Sequence, residues 1–209
     1  MIPETRSDRN SVDVVLVIAL LIPVAYLIGT FPSAVLIARS RGVDITASGS
    51  GNPGASNVNR LMGKRLGILV FVLDGLKGSL SVVAGYFAAG HAGALTLLAA
   101  AILGHVFPAT RKFKGGKGVA TTGGGILTLY PIIGLAMLAL WLSVTKITKK
   151  ASLGSLAIAI GLPCAQIVAG RPLGEILAGV GISIFMIWRH VPNMKRIWHG
   201  DELSVSRKR

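Results

Sequence analysis

Apolar residues run almost unbroken over positions 14–38, 66–89, 92–107, 119–144, 153–169 and 174–188, and polar, glycine-rich segments separate them. Runs of this length without period-2 alternation predict membrane helices rather than strands. Several are nearer 15 than the ~20 residues of a full span, which predicts short or locally thinned crossings. Tyr130-Pro131 is the one break inside the run 119–144, so that run is read as two short helices joined by a turn. The expected fold is therefore an all-α integral membrane protein of seven transmembrane helices.

The polar segments set the orientation. Arg39, Arg41, Arg60, Lys64 and Arg65 lie in the first, Arg111, Lys112, Lys114 and Lys117 in the second, Lys146, Lys149 and Lys150 in the third, and six further cations from Arg189 onward. The positive-inside rule puts all four groups in the cytoplasm, with the N-terminus outside and the C-terminus cytoplasmic. The connections near Gly90 and Ala169–Pro172 carry little charge and belong outside. The expected division is a polar extension over 1–13, a single membrane domain over 14–202 and a basic tail over 203–209.

Composition agrees with that class: 52% of residues are hydrophobic and mean hydropathy is +0.66. The net charge of +14 would suggest nucleic acid in a soluble chain, but only 6% of residues are aromatic and no base-stacking motif is present. The charge is read as topology. Cys164 is the sole cysteine, so no intramolecular disulfide framework exists. No metal motif appears and no cofactor is expected; nor is there a G-x-S-x-G elbow, and none of the four histidines has an aspartate after four intervening residues.

Three polar segments carry candidate chemistry. The stretch GVDITASGSGNPGASNVNR, 42–60, contains Gly49, Gly51 and Gly54 at G-x-G-x-x-G spacing, but a membrane helix precedes it where a dinucleotide fingerprint needs a strand. Its alternation of Ser50, Asn52, Ser56, Asn57 and Asn59 with small residues predicts a hydrogen-bonding cup, and Arg60 at its end offers a planar donor fork to a phosphate or carboxylate. In RKFKGGKGVATTGGG, 111–125, the run KGGKG leads straight into an apolar helix and would aim N–H groups, a helix N-terminus and lysine charge at an anion. The third segment is split between Ser152 and the stretch around His190 and Asn193, which are spaced i, i+3. Asp74 and Lys77, also i, i+3 but within an apolar helix, read as an ion pair that fixes helix packing, although intramembrane charge always raises the question of function.

Taken in order, these segments resemble the bacterial membrane glycerol-3-phosphate acyltransferases that use acyl phosphate, the PlsY family. The likeness rests on Gly49-Ser50-Gly51-Asn52 through Asn57 to Arg60, on Gly104-His105, Phe107-Pro108 and Phe113 through Thr121, and on Ser152 with Arg189-His190, Asn193, Arg196, Gly200 and Glu202. Tyr26-Leu27-Ile28-Gly29, Leu73-Asp74 and Lys77-Gly78 extend it over about residues 25–202. Pro53, Thr46, Arg111-Lys112 and Val191-Pro192 depart from the family's usual pattern.

The resemblance implies seven helices, a cytoplasmic site in the bacterial inner membrane, and acyl transfer from acyl phosphate to glycerol 3-phosphate by a monomer that needs no nucleic acid. It also implies roles. Ser50, Arg60, Lys117, Ser152, His190 and Asn193 would be catalytic; Gly115, Gly116, Gly118, Lys114, Asn52 and Asn57 would bind phosphate; Glu202, Arg196 and His105 would support them. His190 could act as a base, but hydrogen bonding to substrate phosphate is the preferred reading. A carrier for a phosphorylated solute and a catalytically silent lipid-phosphate-binding relative are the alternatives. The carrier should place polar residues near the midplane of several helices, whereas here they gather at one face.

Overall fold

A computed structural model describes residues 6–205, and the outer ends of the expected N-terminal extension and C-terminal tail lie outside the described residues. Every regular element among them is helical. The first, α1 (Arg6–Thr30), absorbs Pro23 and stops at Phe31-Pro32 because proline lacks the N–H that a continuing turn requires. A short α2 (Ser33–Arg39) follows, then an irregular loop and α3 (Ala55–Met62). Next comes α4 (Lys64–Val106), continuous by hydrogen bonding yet broken at Ala89 and Gly90, where Gly90 has φ 58°. Glycine takes that left-handed conformation without steric penalty.

The break in α4 is a reversal. Lys77 Nζ lies 3.4 Å from His105 Nδ1, although 28 residues separate them and a straight helix would hold them ~42 Å apart. The limbs 64–88 and 91–106 are therefore antiparallel neighbours. After Val106 come a loop, α5 (Val119–Leu129), α6 (Pro131–Thr148), α7 (Ala151–Val168), α8 (Leu173–Arg189) and α9 (Val191–Trp198). The predicted break at Tyr130 is present, with Pro131 as the first residue of α6. Proline suits that position because its missing N–H has no intrahelical partner there.

Small residues let the backbones meet. A Cβ on Gly78 would stand 1.9 Å from Thr121 O of α5, and one on Gly104 would stand 2.0 Å from Tyr26 O of α1. Helices in lipid gain little from hydrophobic transfer against one another, so such close van der Waals contact is what holds them. Leu98, Ile102, Val106, Ile126, Tyr130 and Leu162 form the main buried cluster between α4, α5 and α7. The outward faces stay apolar, with Phe87 85% and Val168 89% exposed, as lipid contact requires.

Among the described residues, four helical stretches are able by length and composition to cross a membrane, or five if α8 and α9 count as one bent span. The chain is thus a multi-pass membrane protein. Its turns at 89–91, 130 and 169–172 meet at one end of the bundle, where Glu175 in the first turn of α8 accepts hydrogen bonds from Tyr130 Oη at 2.7 Å and Arg171 Nε at 2.8 Å and lies 2.9 Å from His91 Nδ1. The loops bearing the candidate site residues sit at the other end.

Candidate active site

The loop before α3 is organised by one side chain. Asn57, buried at 2% exposure, donates through Nδ2 to Ser48 O at 3.0 Å and Ile45 O at 3.3 Å, and its Oδ1 accepts from Ser50 N and Arg60 Nη1, both at 3.0 Å. An amide carries two donors and two lone pairs, so this set leaves nothing for a ligand. Asn57, expected to bind phosphate, instead shapes the cup and steers Arg60. Gly49 completes the turn at φ +61°, where a Cβ would also come within 2.3 Å of Asn57 Oδ1.

The second segment leaves Val106 and folds back on it. Gly115 N donates to Val106 O and Gly116 N to His105 O, each at 3.1 Å. The amides expected to cradle phosphate are thereby committed to the end of α4. A Cβ on Gly115 would stand 2.1 Å from His105 O and one on Gly116 2.1 Å from His105 Nε2, so these glycines are needed for close approach. Lys114 is exposed and outside the cavity. The anion-facing part of the motif is displaced one step along the chain: Lys117, Gly118, Val119 and Ala120 line the cavity, and Gly118 sits at the N-cap of α5 with no side-chain cap. The first-turn amides of α5 are left for a ligand.

Ser152 opens α7, and His190 and Asn193 flank the bend between α8 and α9. Lys117 Nζ donates to Asn193 Oδ1, Asn193 Nδ2 to Glu202 Oε1 at 2.6 Å, and Arg196 Nε to Glu202 Oε2 at 2.8 Å. Glu202 belongs to a strap that returns over the site after α9: Arg60 Nε donates to Ser204 O at 2.8 Å and Asn59 Nδ2 to Val205 O at 2.9 Å. His190 Nδ1 lies 2.8 Å from Met186 O. A carbonyl only accepts, so Nδ1 carries the proton and Nε2 presents a lone pair.

These elements enclose a cavity of about 520 Å³ lined by Ser50, Asn52, Arg60, His105, Lys117, Gly118, Ser152, His190, Asn193, Arg196 and Glu202. Of the predicted residues, Gly115, Gly116 and Lys114 alone do not line it. Burial pushes the Lys117 amine from 10.5 down to about 8, helped by Arg196, Arg189 and Arg60 and opposed by Glu202. Burial alone would raise the Glu202 carboxyl, but hydrogen bonds from Asn193 and Arg196 help hold it below its ordinary value. Glu202 and Asp74 are outnumbered there by Arg60, Lys64, Lys117 and Arg196, giving a site with net affinity for anions.

Beyond Phe71, Val119, Ala120, Leu138 and Trp141 the cavity continues into an apolar groove of about 240 Å³ between α4, α5, α6 and α7. The sequence did not mark this groove, because its walls are ordinary members of apolar runs. Nor did it mark the strap's backbone carbonyls, which any residue supplies.

The family model for glycerol-3-phosphate acyltransferase matches residues 19–200. A glycerol-3-phosphate acyltransferase from Clostridioides difficile (strain 630) is 38% identical over 195 residues, covering 89% of this chain and 94% of its own. One from Maricaulis maris is 40% identical over 186 residues, covering 88% and 85%. The crystal structure of PlsY, an integral membrane glycerol 3-phosphate acyltransferase, in its glycerol 3-phosphate form superposes with TM-score 0.86 at 35% identity, over 90% of this chain and 94% of that one. Its lysophosphatidic acid form gives 0.83 at the same identity and coverage. With most of its length matched, the chain belongs to the glycerol-3-phosphate acyltransferase (PlsY) family of integral membrane proteins.

Proposed function

We propose that the protein transfers a fatty acyl group from acyl phosphate to the 1-hydroxyl of sn-glycerol 3-phosphate, giving lysophosphatidate and inorganic phosphate, the first acylation step of phospholipid synthesis. The observation that carries this reading is the junction of a cationic polar cavity with an apolar groove open along α4, α5 and α6. Two phosphorylated substrates suit the first and an acyl chain suits the second.

In the reaction O1 of glycerol 3-phosphate attacks the acyl carbonyl carbon, the carbon–oxygen bond to phosphate breaks, and the hydroxyl proton ends on the departing phosphate. The mixed anhydride already has a good leaving group, so alignment and charge stabilisation supply most of the rate. Lys117, Arg60 and the first turn of α5 hold phosphate oxygens. Ser50 and Asn52 hold the glycerol moiety, and Ser152 lies beside Glu202 on the opposite wall. Because His190 Nε2 is an acceptor, it receives a hydrogen bond from a substrate hydroxyl, a revision of the expected contact to phosphate. Glu202 and Arg196 keep Asn193, and through it Lys117, in place.

The topology proposed with this reaction is seven crossings of the bacterial inner membrane by a monomer. The N-terminus is outside, and the site and C-terminus are cytoplasmic. Reversals at Gly90, Tyr130 and Gly170 and the lysine-rich loops at the site end support it. The departures at Pro53 and Val191-Pro192 leave the polar set intact, since Pro53 is buried under the cup and Pro192 sits in the first turn of α9. Purified protein given acyl phosphate should release phosphate only when glycerol 3-phosphate is supplied, and should not use acyl-CoA comparably. Equal use of acyl-CoA would remove the donor assignment.

A further inference from the structure

Behind the phosphate-facing loop lies a charged cluster that the reaction above does not use. Asp74 and Lys77, 2% and 4% exposed, sit 2.5 Å apart inside α4. Ser33 Oγ of α2 donates to Asp74 Oδ1 at 2.5 Å, and His105 of the returning limb places Nδ1 3.4 Å from Lys77 Nζ and 3.7 Å from Asp74 Oδ1. Charge in this setting is expensive, and an apolar pair would pack two helices as well or better. A packing role alone therefore does not account for it.

Its placement does. Asp74 and His105 line the wall of the cavity itself. His105 is also the seat of the loop that bears Lys117. Its carbonyl takes Gly116 N at 3.1 Å, and its Nε2 stands where a Cβ of Gly116 would be, at 2.1 Å. From the other side Arg189 Nη2 donates to Gly116 O at 3.2 Å while its guanidinium stacks 5.8 Å from the Phe107 ring and 5.5 Å from the Trp188 ring. Gly116 is thus gripped between the imidazole and the guanidinium, and Lys117 is the next residue.

We propose that Asp74, Lys77 and His105 are positioning residues for substrate phosphate. The ion pair fixes the His105 ring, and the ring together with Arg189 fixes Gly116 and so the reach of Lys117 and the α5 N-terminus. The inference rests on the phosphate site proposed above but not on the acyl transfer, so its test reads binding as well as turnover.

The experiment measures Kd for glycerol 3-phosphate by calorimetry, with KM for each substrate, on detergent-purified wild type, His105→Leu, His105→Asn and the charge-free double variant Asp74→Asn/Lys77→Met. Thermal unfolding controls for fold. His105→Leu and the double variant should remain folded and weaken binding at least ~10-fold, the scale of a lost charge-assisted contact. KM for one phosphorylated substrate should rise with it while the other changes less than ~3-fold, because a local displacement touches one phosphate first. His105→Asn keeps a polar group at the Nδ1 position and should recover most of the loss. Wild-type affinity in folded His105→Leu, or a collapse of folding in both disruptive variants, overturns the proposal. Wild type that binds glycerol 3-phosphate without turning over, with the variants still weakened, would sink the reaction and sustain the positioning role.

Discussion

A lysine held at about 8 by burial and neighbouring cations titrates within reach of ordinary assays. The protonated amine is the form that attracts phosphate, so kcat/KM should be flat below pH 8 and fall as pH rises through about 8. A bound phosphate dianion raises the amine's pKa, so kcat at saturation should persist to higher pH than kcat/KM. Lys117→Arg, which stays charged, should move the fall in kcat/KM upward even if its rate is lower; an unmoved limb would assign the titration elsewhere. Lys117→Ala should cost roughly 10²-fold or more in rate, as when one donor is removed from a preorganised site. Gly116→Leu should nearly abolish activity, through collision with His105 rather than obstruction of an anion. The residue types of the site were legible because serine, asparagine and arginine in a glycine-rich stretch have few uses inside a membrane protein. Their exact duties were not, since whether Asn57 faces a ligand or its own loop depends on where Ser48 O and Ile45 O end up.

At the level of elements, the breaks at Gly90 and Tyr130-Pro131 could be read directly, because a positive φ and a missing N–H act locally. The strap over the site could not. It is held by Ser204 O and Val205 O, and a backbone carbonyl leaves no mark in the sequence. Its anchor at Asn59 gives a prediction: Asn59→Ala removes the bond to Val205 O without touching the proposed substrate contacts, and should raise hydrogen exchange in the strap far more than in α4. At the opposite end, Glu175 ties three reversals together through Tyr130, Arg171 and His91, with its backbone carbonyl taken by Gln166 Nε2 at 3.1 Å. Glu175→Ala should destabilise the protein by roughly 1–3 kcal/mol by leaving those donors short of a partner. Thermal unfolding in detergent reads it, and an unchanged midpoint would deny the turns their shared anchor.

For the whole molecule, the distribution of Lys and Arg along the chain already separated the two ends of the bundle, and the structure gathers the cation-bearing loops Arg39–Arg65, Lys117 and Lys149 at the end that holds the cavity. That separation follows from lipid, which tolerates charge at its faces and resists it at its centre. The groove proposed for the acyl chain is a property of the assembled bundle alone, made where α4, α5 and α6 leave a seam that no single run reveals. A cationic chamber opening into an apolar seam is what joins a phosphorylated alcohol to an acyl donor. The direct test is lysophosphatidate formation by detergent-purified protein, with no membrane to separate two compartments. Acyl phosphate and glycerol 3-phosphate together should yield lysophosphatidate and phosphate in equal amounts, and either substrate alone should yield neither; no lysophosphatidate from folded wild-type protein given both would contradict the account.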